Sequence, residues 1–450
     1  MNEQWTSDAK KVTRISLVAP DGFPEPSTAH SFHPDLTYQL FENDSIYGYG
    51  NLSVDLKFRQ DDMSPALDVR YDTRLSEAGA SDTQVPIDNV EEVLQKHLPE
   101  DTPTQLDLSD SSFTPPGKLV NTYTRGSSTY EIYHSNLADP QARALIHRMQ
   151  ILVLFFIEAG SAIDTDEDDE WLRNRWDVFF LYERLPGSKF SFVGYCTVHK
   201  YWYFSPSPDK HTGDFSMAAL QTQEFPRQYR ARISQFLVLP PFQKKGHARD
   251  LYAVIIQEYL ASSDIKEITV EDPSERFEEL RDVADFKRLK ANNVLSGDNV
   301  PYMLLQRQQD AKDWIEAQRA IAKMPLRQFQ RMIEMLLLER ILLSNSDDDQ
   351  YTFFVKERLY RHNKDILMQL ERDERAEKLK ETYLNVYTDY ERLLEKVGSD
   401  AVVGRAAPAR KVISGKRPAG NISTIVEGEE EEEEEELEPP SKKARVRKED

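Results

Sequence analysis

Gln243, Gly246 and Ala248 stand at Gln-x-x-Gly-x-Ala spacing between an apolar run and an amphipathic one. Phe236 to Leu239, closed by Pro240-Pro241, reads as a buried strand. Leu251, Val254, Ile255 and Tyr259 recur at helical spacing, so a helix starts near Gly246. A strand, a short loop with one Gly and one Ala, and a helix N-terminus aim backbone N–H groups and a positive dipole end at one spot. That spot suits a pyrophosphate. The sequence has no Gly-x-x-x-x-Gly-Lys-Ser/Thr and no Gly-x-Gly-x-x-Gly, which excludes the Walker A and Rossmann loops.

The longer stretch from Arg232 to Tyr252, RISQFLVLPPFQKKGHARDLY, contains this loop. The six-residue pattern resembles the Gln/Arg-x-x-Gly-x-Gly/Ala loop of the GNAT acetyltransferases. The full string is similar to the acetyl-CoA segment of type B histone acetyltransferase catalytic subunits. The resemblance implies acetyl-CoA as co-substrate. Phe236, Leu237 and Val238 would pair with the pantetheine amides. Gln243, Lys244, Lys245, Gly246, His247, Ala248 and Arg249 would cradle the pyrophosphate. Ser274 would add a further cofactor contact. Ala248 stands where relatives often have Gly, which is acceptable if its φ is negative.

Acetyl transfer to a lysine needs a base, because free lysine has a pKa of about 10.4. Glu271 ends the strand Ile265 to Val270, with Asp272 beside it and Pro273 stopping the strand. Thr269-Val-Glu-Asp-Pro-Ser274 looks like the family's Glu-Asp-Pro segment, in which that Glu is the assigned base. Asp272 is expected as a helix N-cap or a secondary acid. Glu158, in Phe-Ile-Glu-Ala-Gly, resembles a family acidic position near the lysine channel. For the histone peptide the resemblance points to His199, Lys200, Tyr201 and Trp202 on one strand, and to the turn Asn43-Asp44-Ser45. Tyr38, Phe41, Tyr47 and Tyr49 around Glu42-Asn43-Asp44 could form an aromatic platform for a basic peptide.

Other chemistries are disfavoured. Cys196 lies mid-strand among Phe192, Tyr195 and Val198 and reads as core, which argues against an acetyl-cysteine route. His247 lacks a partner cluster, and no Cys/His group has zinc spacing, so no metal is expected. One cysteine in 450 residues permits no internal disulfide and fits a reducing compartment. The longest apolar run, Ile151 to Ile157, is too short to span a membrane, and no secretory signal is visible.

Several elements must hold these residues in place. Leu52-Ser-Val54-Asp-Leu56-Lys-Phe58 alternates as a half-buried strand, as do Leu67, Val69 and Tyr71. Asp88-x-x-Glu91 opens a short helix with Val90, Val93, Leu94 and Leu98 on one face. Asp139-Pro140 starts a helix that ends near Gly160. Strands follow at Trp176 to Tyr182 and Phe190 to Val198. The chain is nearly all helix from Ser274 to Val397. The expected fold is α/β, α+β overall: a GNAT-type mixed sheet with flanking helices. The domains are 1–125, a small histone-contacting α+β domain; 126–273, the acetyltransferase domain; 274–397, helical; and 398–450, a disordered acidic and basic tail.

The formal net charge is -21, of which the stretch from Gly398 contributes only -3. An acidic body argues against direct DNA binding and favours a basic partner. The run Glu429 to Glu436 is acidic, and Ser441 to Lys448 resembles a nuclear import signal. Together with the resemblance, this implies a cytoplasmic and nuclear enzyme working in chromatin assembly. It would acetylate the N-terminal tail of new, non-nucleosomal histone H4, with histone 2A as a further candidate, by direct attack in a ternary complex. A WD-repeat histone-binding subunit is the expected partner. Two rival readings fit the same residues: an acetyltransferase of protein N-termini or small amines, and a histone chaperone with an inactive acetyltransferase fold. The intact loop and base argue against the second.

Overall fold

The computed structural model describes residues 5–24, 30–75, 86–110, 112–165, 173–203, 228–295, 309–344, 349–399 and 401. They fall into two compact units, residues 1–337 and 338–450.

The first unit begins with short strands: β1 (Thr6–Asp8), helix α1 (Ala9–Val12), β2 (Thr13–Val18), β3 (His30–Phe32), β4 (Ser45–Tyr47), β5 (Tyr49–Gly50), β6 (Ser53–Arg59), β7 (Pro65–Arg70) and β8 (Thr73–Arg74). Four of them form a sheet in the order β3-β2-β6-β7. The alternation at Val54, Leu56 and Phe58 puts all three side chains in the core at 0% exposure. Helix α2 (Val90–Gln95) follows. Its N-cap is Asn89, whose side chain accepts from the Glu92 amide, not the expected Asp88. Asp88 accepts instead from the Tyr47 amide at 2.6 Å.

Six strands then form one sheet in chain order: β9 (Lys118–Arg125), β10 (Ser128–Asn136), β11 (Trp176–Leu185), β12 (Lys189–Trp202), β13 (Tyr229–Val238) and β14 (Ile265–Val270). All neighbours are antiparallel except β13 and β14, which run parallel. A parallel pair needs a crossover, and helix α5 (His247–Ala261) supplies it. The boundary expected at 125/126 falls inside the β9–β10 hairpin, whose register pairs Arg125 with Ser128. The two sheets share a continuous core from Ala9 to Val270. The Phe192 amide donates to the Gln60 carbonyl at 2.7 Å, and Gln60 Nε2 donates to Ser191 Oγ at 2.7 Å.

Asp139 caps helix α3 (Pro140–Met149), as its Asp-Pro start requires. The expected single helix is broken at Gln150 and resumes as α4 (Ile151–Phe156). The Gln150 side chain bonds both the amide and the carbonyl of Ile163, which folds the following loop back. After β14 come helices α6 (Glu275–Ala291), α7 (Gln309–Ala322) and α8 (Leu326–Ser344). Lys323 donates to the Tyr259, Leu260 and Ser262 carbonyls, satisfying the C-terminus of α5. Asp282 on α6 accepts from Arg331 at 2.7 Å and Gln328 at 2.9 Å in the buried interior.

The second unit contains α9 (Asp349–His362), α10 (Lys364–Leu367) and α11 (Arg372–Val397). Tyr351, Val355 and Leu359 of α9 are buried, as are Tyr383, Val386, Tyr390, Leu393 and Leu394 of α11. Gly398, at φ 80°, ends α11 in the left-handed conformation that glycine adopts without strain. Apart from Gly398, Ser399 and Ala401, the tail lies outside the described residues. So do its acidic run and basic cluster.

Candidate active site

The parallel ladder between β13 and β14 stops abruptly. Its last register pair is Ile233 with Val270, and the Glu271 amide donates to the Ile233 carbonyl at 2.8 Å. Strand β13 continues beside β12 as far as Val238, opposite Gly194. Residues 234–238 therefore have a ladder on the β12 side and none with β14. A bulge starts this divergence. Ser234 and Gln235 together oppose Thr197, whose hydroxyl accepts from the Gln235 amide at 3.1 Å. An extra residue bends a strand and increases its twist. The edge at Phe236, Leu237 and Val238 is thus available to an extended ligand with amides of its own, as β-augmentation requires. This splay between two parallel neighbours matches the GNAT-type sheet expected from sequence.

Beyond β13 the chain stays against β12 and then turns into α5, whose His247 meets β9 and β10. The Leu239 amide donates to the Val193 carbonyl at 2.9 Å, and Gln243 Nε2 donates to the Val238 carbonyl at 2.9 Å. Lys244 has φ 60°, and Gly246, the N-cap of α5, has φ 86° and ψ 0°. No side chain caps this helix, so its first amides remain available for an anion. Ala248 lies inside the first helical turn, where its φ is negative and its methyl is tolerated. A Cβ on Gly246 would stand 2.9 Å from Arg125 Nη2, so glycine leaves room for that side chain at the start of α5.

His247 offers this loop only its backbone. Its side chain is 1% exposed, with Nδ1 2.8 Å from the Tyr123 hydroxyl and its ring 4.4 Å from that of Tyr130. Burial, then the Arg125 charge, pushes its pKa down. Lys244, Lys245 and Arg249 are all exposed; Lys245 Nζ donates to the Pro241 carbonyl at 2.8 Å, and Arg249 lies 3.4 Å from Asp250.

One carboxylate, Glu271, meets the bulge, and the loop that carries Glu158 is tied to it through its backbone. Ser234 Oγ donates to Glu271 Oε2 at 2.6 Å, and Arg232 Nη1 lies 3.6 Å from Oε1. The Glu271 side chain remains 41% exposed, so a substrate can reach it. Glu158, just beyond α4, is also exposed. Its loop is fastened to the bulge by Gln235 Nε2, which donates to the Ser161 carbonyl at 2.8 Å. The Ala159 amide donates to the Tyr38 hydroxyl at 2.9 Å. Asp272 has φ 33° in the turn after β14. It is not the cap of α6; Ser274 is, accepting from the Phe277 amide at 3.4 Å. This fixes the side chain that was expected to touch the cofactor at the start of that helix.

The expected peptide-contacting strand residues do not share one environment. His199 lies between Trp176, 4.6 Å away, and Tyr201, 4.2 Å away between ring centroids. Burial, then the charges of Arg175 and Arg232, pushes its pKa down to about 4. Tyr201 carries the Arg232 guanidinium 4.7 Å above its ring, which links it to Glu271. Lys200 is turned to the buried Asp177 carboxylate at 2.7 Å. Trp202 stacks on Tyr229 at 4.9 Å. At the other expected contact, Asp44 accepts from the Thr37 amide and hydroxyl at 3.1 and 2.6 Å and pairs with Lys10 at 3.0 Å. The Thr37 hydrogen bond is the main reason its pKa is lowered. Asn43 and Asp44 both have positive φ, and Ser45 Oγ donates to the Asn43 carbonyl at 3.2 Å, so this segment builds a tight turn. No aromatic platform surrounds it. Phe41, Tyr47 and Tyr49 are buried, and only Tyr38 of the four is at the surface.

Sequence reasoning missed Arg232, Ser234, Tyr123 and Arg125. The first two carried a weak signal, since strand alternation puts 232 and 234 on one face near the end of the sheet. The other two carried none. Among the described residues no group of three or more His, Cys, Asp or Glu is arranged for a metal ion.

Residues 5–158 match the profile of the "Histone acetyl transferase HAT1 N-terminus" family, and residues 282–341 match "Fungal HAT1, C-terminal". The chain is 35% identical to the histone acetyltransferase type B catalytic subunit of Aspergillus oryzae, over 87% of this chain and 86% of that one. It is 36% identical to that of Gibberella zeae, over 91% and 94%. The corresponding protein of Pyricularia oryzae is 34% identical, over 87% and 92%. Likeness at this identity over nearly the whole of both chains reaches well beyond the cofactor loop: the chain belongs to the family of type B histone acetyltransferase catalytic subunits and is an acetyl-transferring enzyme.

Proposed function

We propose that the enzyme transfers acetyl from acetyl-CoA to lysines in the N-terminal tail of newly synthesised, non-nucleosomal histone H4, with histone 2A as a second substrate. The observation that carries this reading is the position of Glu271. It ends β14 where the ladder with β13 stops, held by Ser234 at 2.6 Å, on the strand that leads out of the crossover begun at the uncapped start of α5.

The lysine amine enters the splay as an ammonium, and Glu271 takes its proton directly or through one water. The free amine attacks the thioester carbonyl in the ternary complex. The C–N bond forms, the C–S bond breaks, and the proton released by the new amide nitrogen passes to the leaving thiolate to give the thiol. Residues 236–238 orient the pantetheine, and the first amides of α5 hold the pyrophosphate. Asp272 and Glu158 are reserve acids at the rim. Tyr201, linked to Glu271 through Arg232, flanks the peptide path, with His199 packed against it. The negative body, about -18 without its last 53 residues, attracts a basic tail. A WD-repeat histone-binding subunit completes the complex, which works in cytoplasm and nucleus.

Mass-spectrometric mapping of acetylation on free histones and on nucleosomes tests this. Acetylation of H4 tail lysines on free histones, and little on nucleosomes, is the expected result. Equal modification of both, or activity confined to small amines, would overturn it.

A further inference from the structure

Arg232 stands in a row of side chains that crosses four strands of the six-stranded sheet. Register pairs Trp176 with His199, His199 with Arg232, and Arg232 with Thr269. Residues opposite one another point to one face, as do residues two apart on a strand. Tyr201, Ser234 and Glu271 therefore share the face of that row. Their contacts agree with this. The Trp176 and His199 rings are 4.6 Å apart, and those of His199 and Tyr201 are 4.2 Å apart. The Arg232 guanidinium lies over the Tyr201 ring, 4.7 Å from its centroid. Its Nη1 is 3.6 Å from Glu271 Oε1, and among the described residues no other carboxylate pairs with it.

Glu271 is thus met at both oxygens by two residues of β13. Ser234 Oγ donates to Oε2 at 2.6 Å, and Arg232 faces Oε1. A carboxylate anchored at one oxygen can swing about that bond, whereas a partner at the other oxygen fixes its plane. At 3.6 Å the arginine contact is an ion pair and not a hydrogen bond, so Oε1 keeps its lone pairs for a proton. The two side chains are 27% and 41% exposed, and an ion pair so open to water adds little to stability. It can supply orientation, to which a reaction rate is far more sensitive.

We propose that Arg232 is a positioning residue for acetyl transfer: braced on Tyr201, its guanidinium holds the second oxygen of Glu271 and aims the carboxylate at the substrate amine. This rests on the reading of Glu271 as the base. Arginine suits the task because its flat guanidinium stacks on an aromatic face and still pairs with a carboxylate.

The test is steady-state kinetics on the full chain with acetyl-CoA and a histone H4 tail peptide, in a double-mutant cycle with Glu271→Gln. Arg232→Gln lowers kcat by about tenfold and keeps both KM values within about twofold, as expected when a reacting group is loosened and binding is kept. Arg232→Lys keeps the charge, loses the stack and recovers part of the rate. In the Glu271→Gln background Arg232→Gln lowers kcat no further, because no base remains to be aimed. Losses that multiply in the double variant overturn the proposal. So does an unchanged kcat for Arg232→Gln, or a rise in KM without a fall in kcat, which would assign Arg232 to the fold or to peptide binding. If Arg232→Gln fails to fold, Arg232→Lys enters the same cycle and must show a loss of kcat that vanishes beside Glu271→Gln. A wild-type rate for Glu271→Gln alone would instead overturn the reading of Glu271 as the base.

Discussion

Ser234 donates its hydroxyl hydrogen to Glu271 across 2.6 Å, from the bulge of β13 to the residue that ends β14. The two residues are 37 positions apart in sequence, and the contact stands where the parallel ladder opens. One carboxylate oxygen is held by the hydroxyl, and the other faces Arg232 at 3.6 Å. Glu271→Gln keeps the shape but cannot accept a proton. It should lower kcat by about 10²–10⁴-fold, as for loss of a general base, with acetyl-CoA affinity nearly intact. Ser234→Ala should cost less, about tenfold, because orientation is loosened while the base remains. Initial rates with a histone H4 peptide check both. An unchanged rate for Glu271→Gln would move the base to Asp272 or Glu158.

Gly246 sits at φ 86°, and any side chain there meets the Arg125 guanidinium. Gly246→Ala should destabilise the folded chain by about 1 kcal/mol from backbone strain alone. Gly246→Asp adds a negative charge at the start of α5, the proposed phosphate site, and should weaken acetyl-CoA binding by more than about tenfold. Calorimetry of the two variants separates strain from charge. Equal affinities for Asp and Ala variants would remove electrostatics from the explanation.

His199 makes stability depend on pH. Its folded pKa is pushed down to about 4, chiefly by burial, from an ordinary 6.5. Above pH 6.5 it is neutral in both states and contributes no pH dependence. As pH falls from 6.5 towards 4 the unfolded chain takes up the proton first, so stability is lost over that window. His30, His97 and His247 are lowered as well, so the difference between variants carries the test. His199→Gln should lose less stability than wild type between about pH 7.5 and pH 5 in urea unfolding. Parallel losses would mean that His199 titrates alike in both states.

Asp282 holds together α6 and α8 inside the first unit. It is 2% exposed and receives Arg331 and Gln328. Asp282→Ala leaves a buried guanidinium short of its carboxylate, which should cost about 3–5 kcal/mol. A large fall in Tm with little change in acetyl-CoA affinity of the folded fraction is expected. A Tm close to that of wild type would show that Arg331 does not depend on Asp282.

The strand, turn and helix from Phe236 to Tyr259 were legible because their signal is local. A buried strand, two prolines, small residues and a helical repeat lie within one short stretch, and each constrains its neighbours through backbone geometry. Asp139-Pro140 announced its helix for the same reason. Glu271 was legible as the end of a short apolar run stopped by Pro273. Tertiary structure alone decided where these pieces meet. The bulge at Ser234–Gln235 depends on β12 pairing, and no periodicity marks it. Gln235 brings the loop after Glu158 to the site from 74 residues away, and β9 delivers Arg125 to α5 across 125. Packing also turned Phe41, Tyr47 and Tyr49 inward, Lys200 towards Asp177, and His247 under Tyr130, away from the surfaces their residue types suggested. Side-chain direction in such places follows from register and burial among distant strands, and the free energy that selects it is spread over contacts that no short stretch of sequence contains.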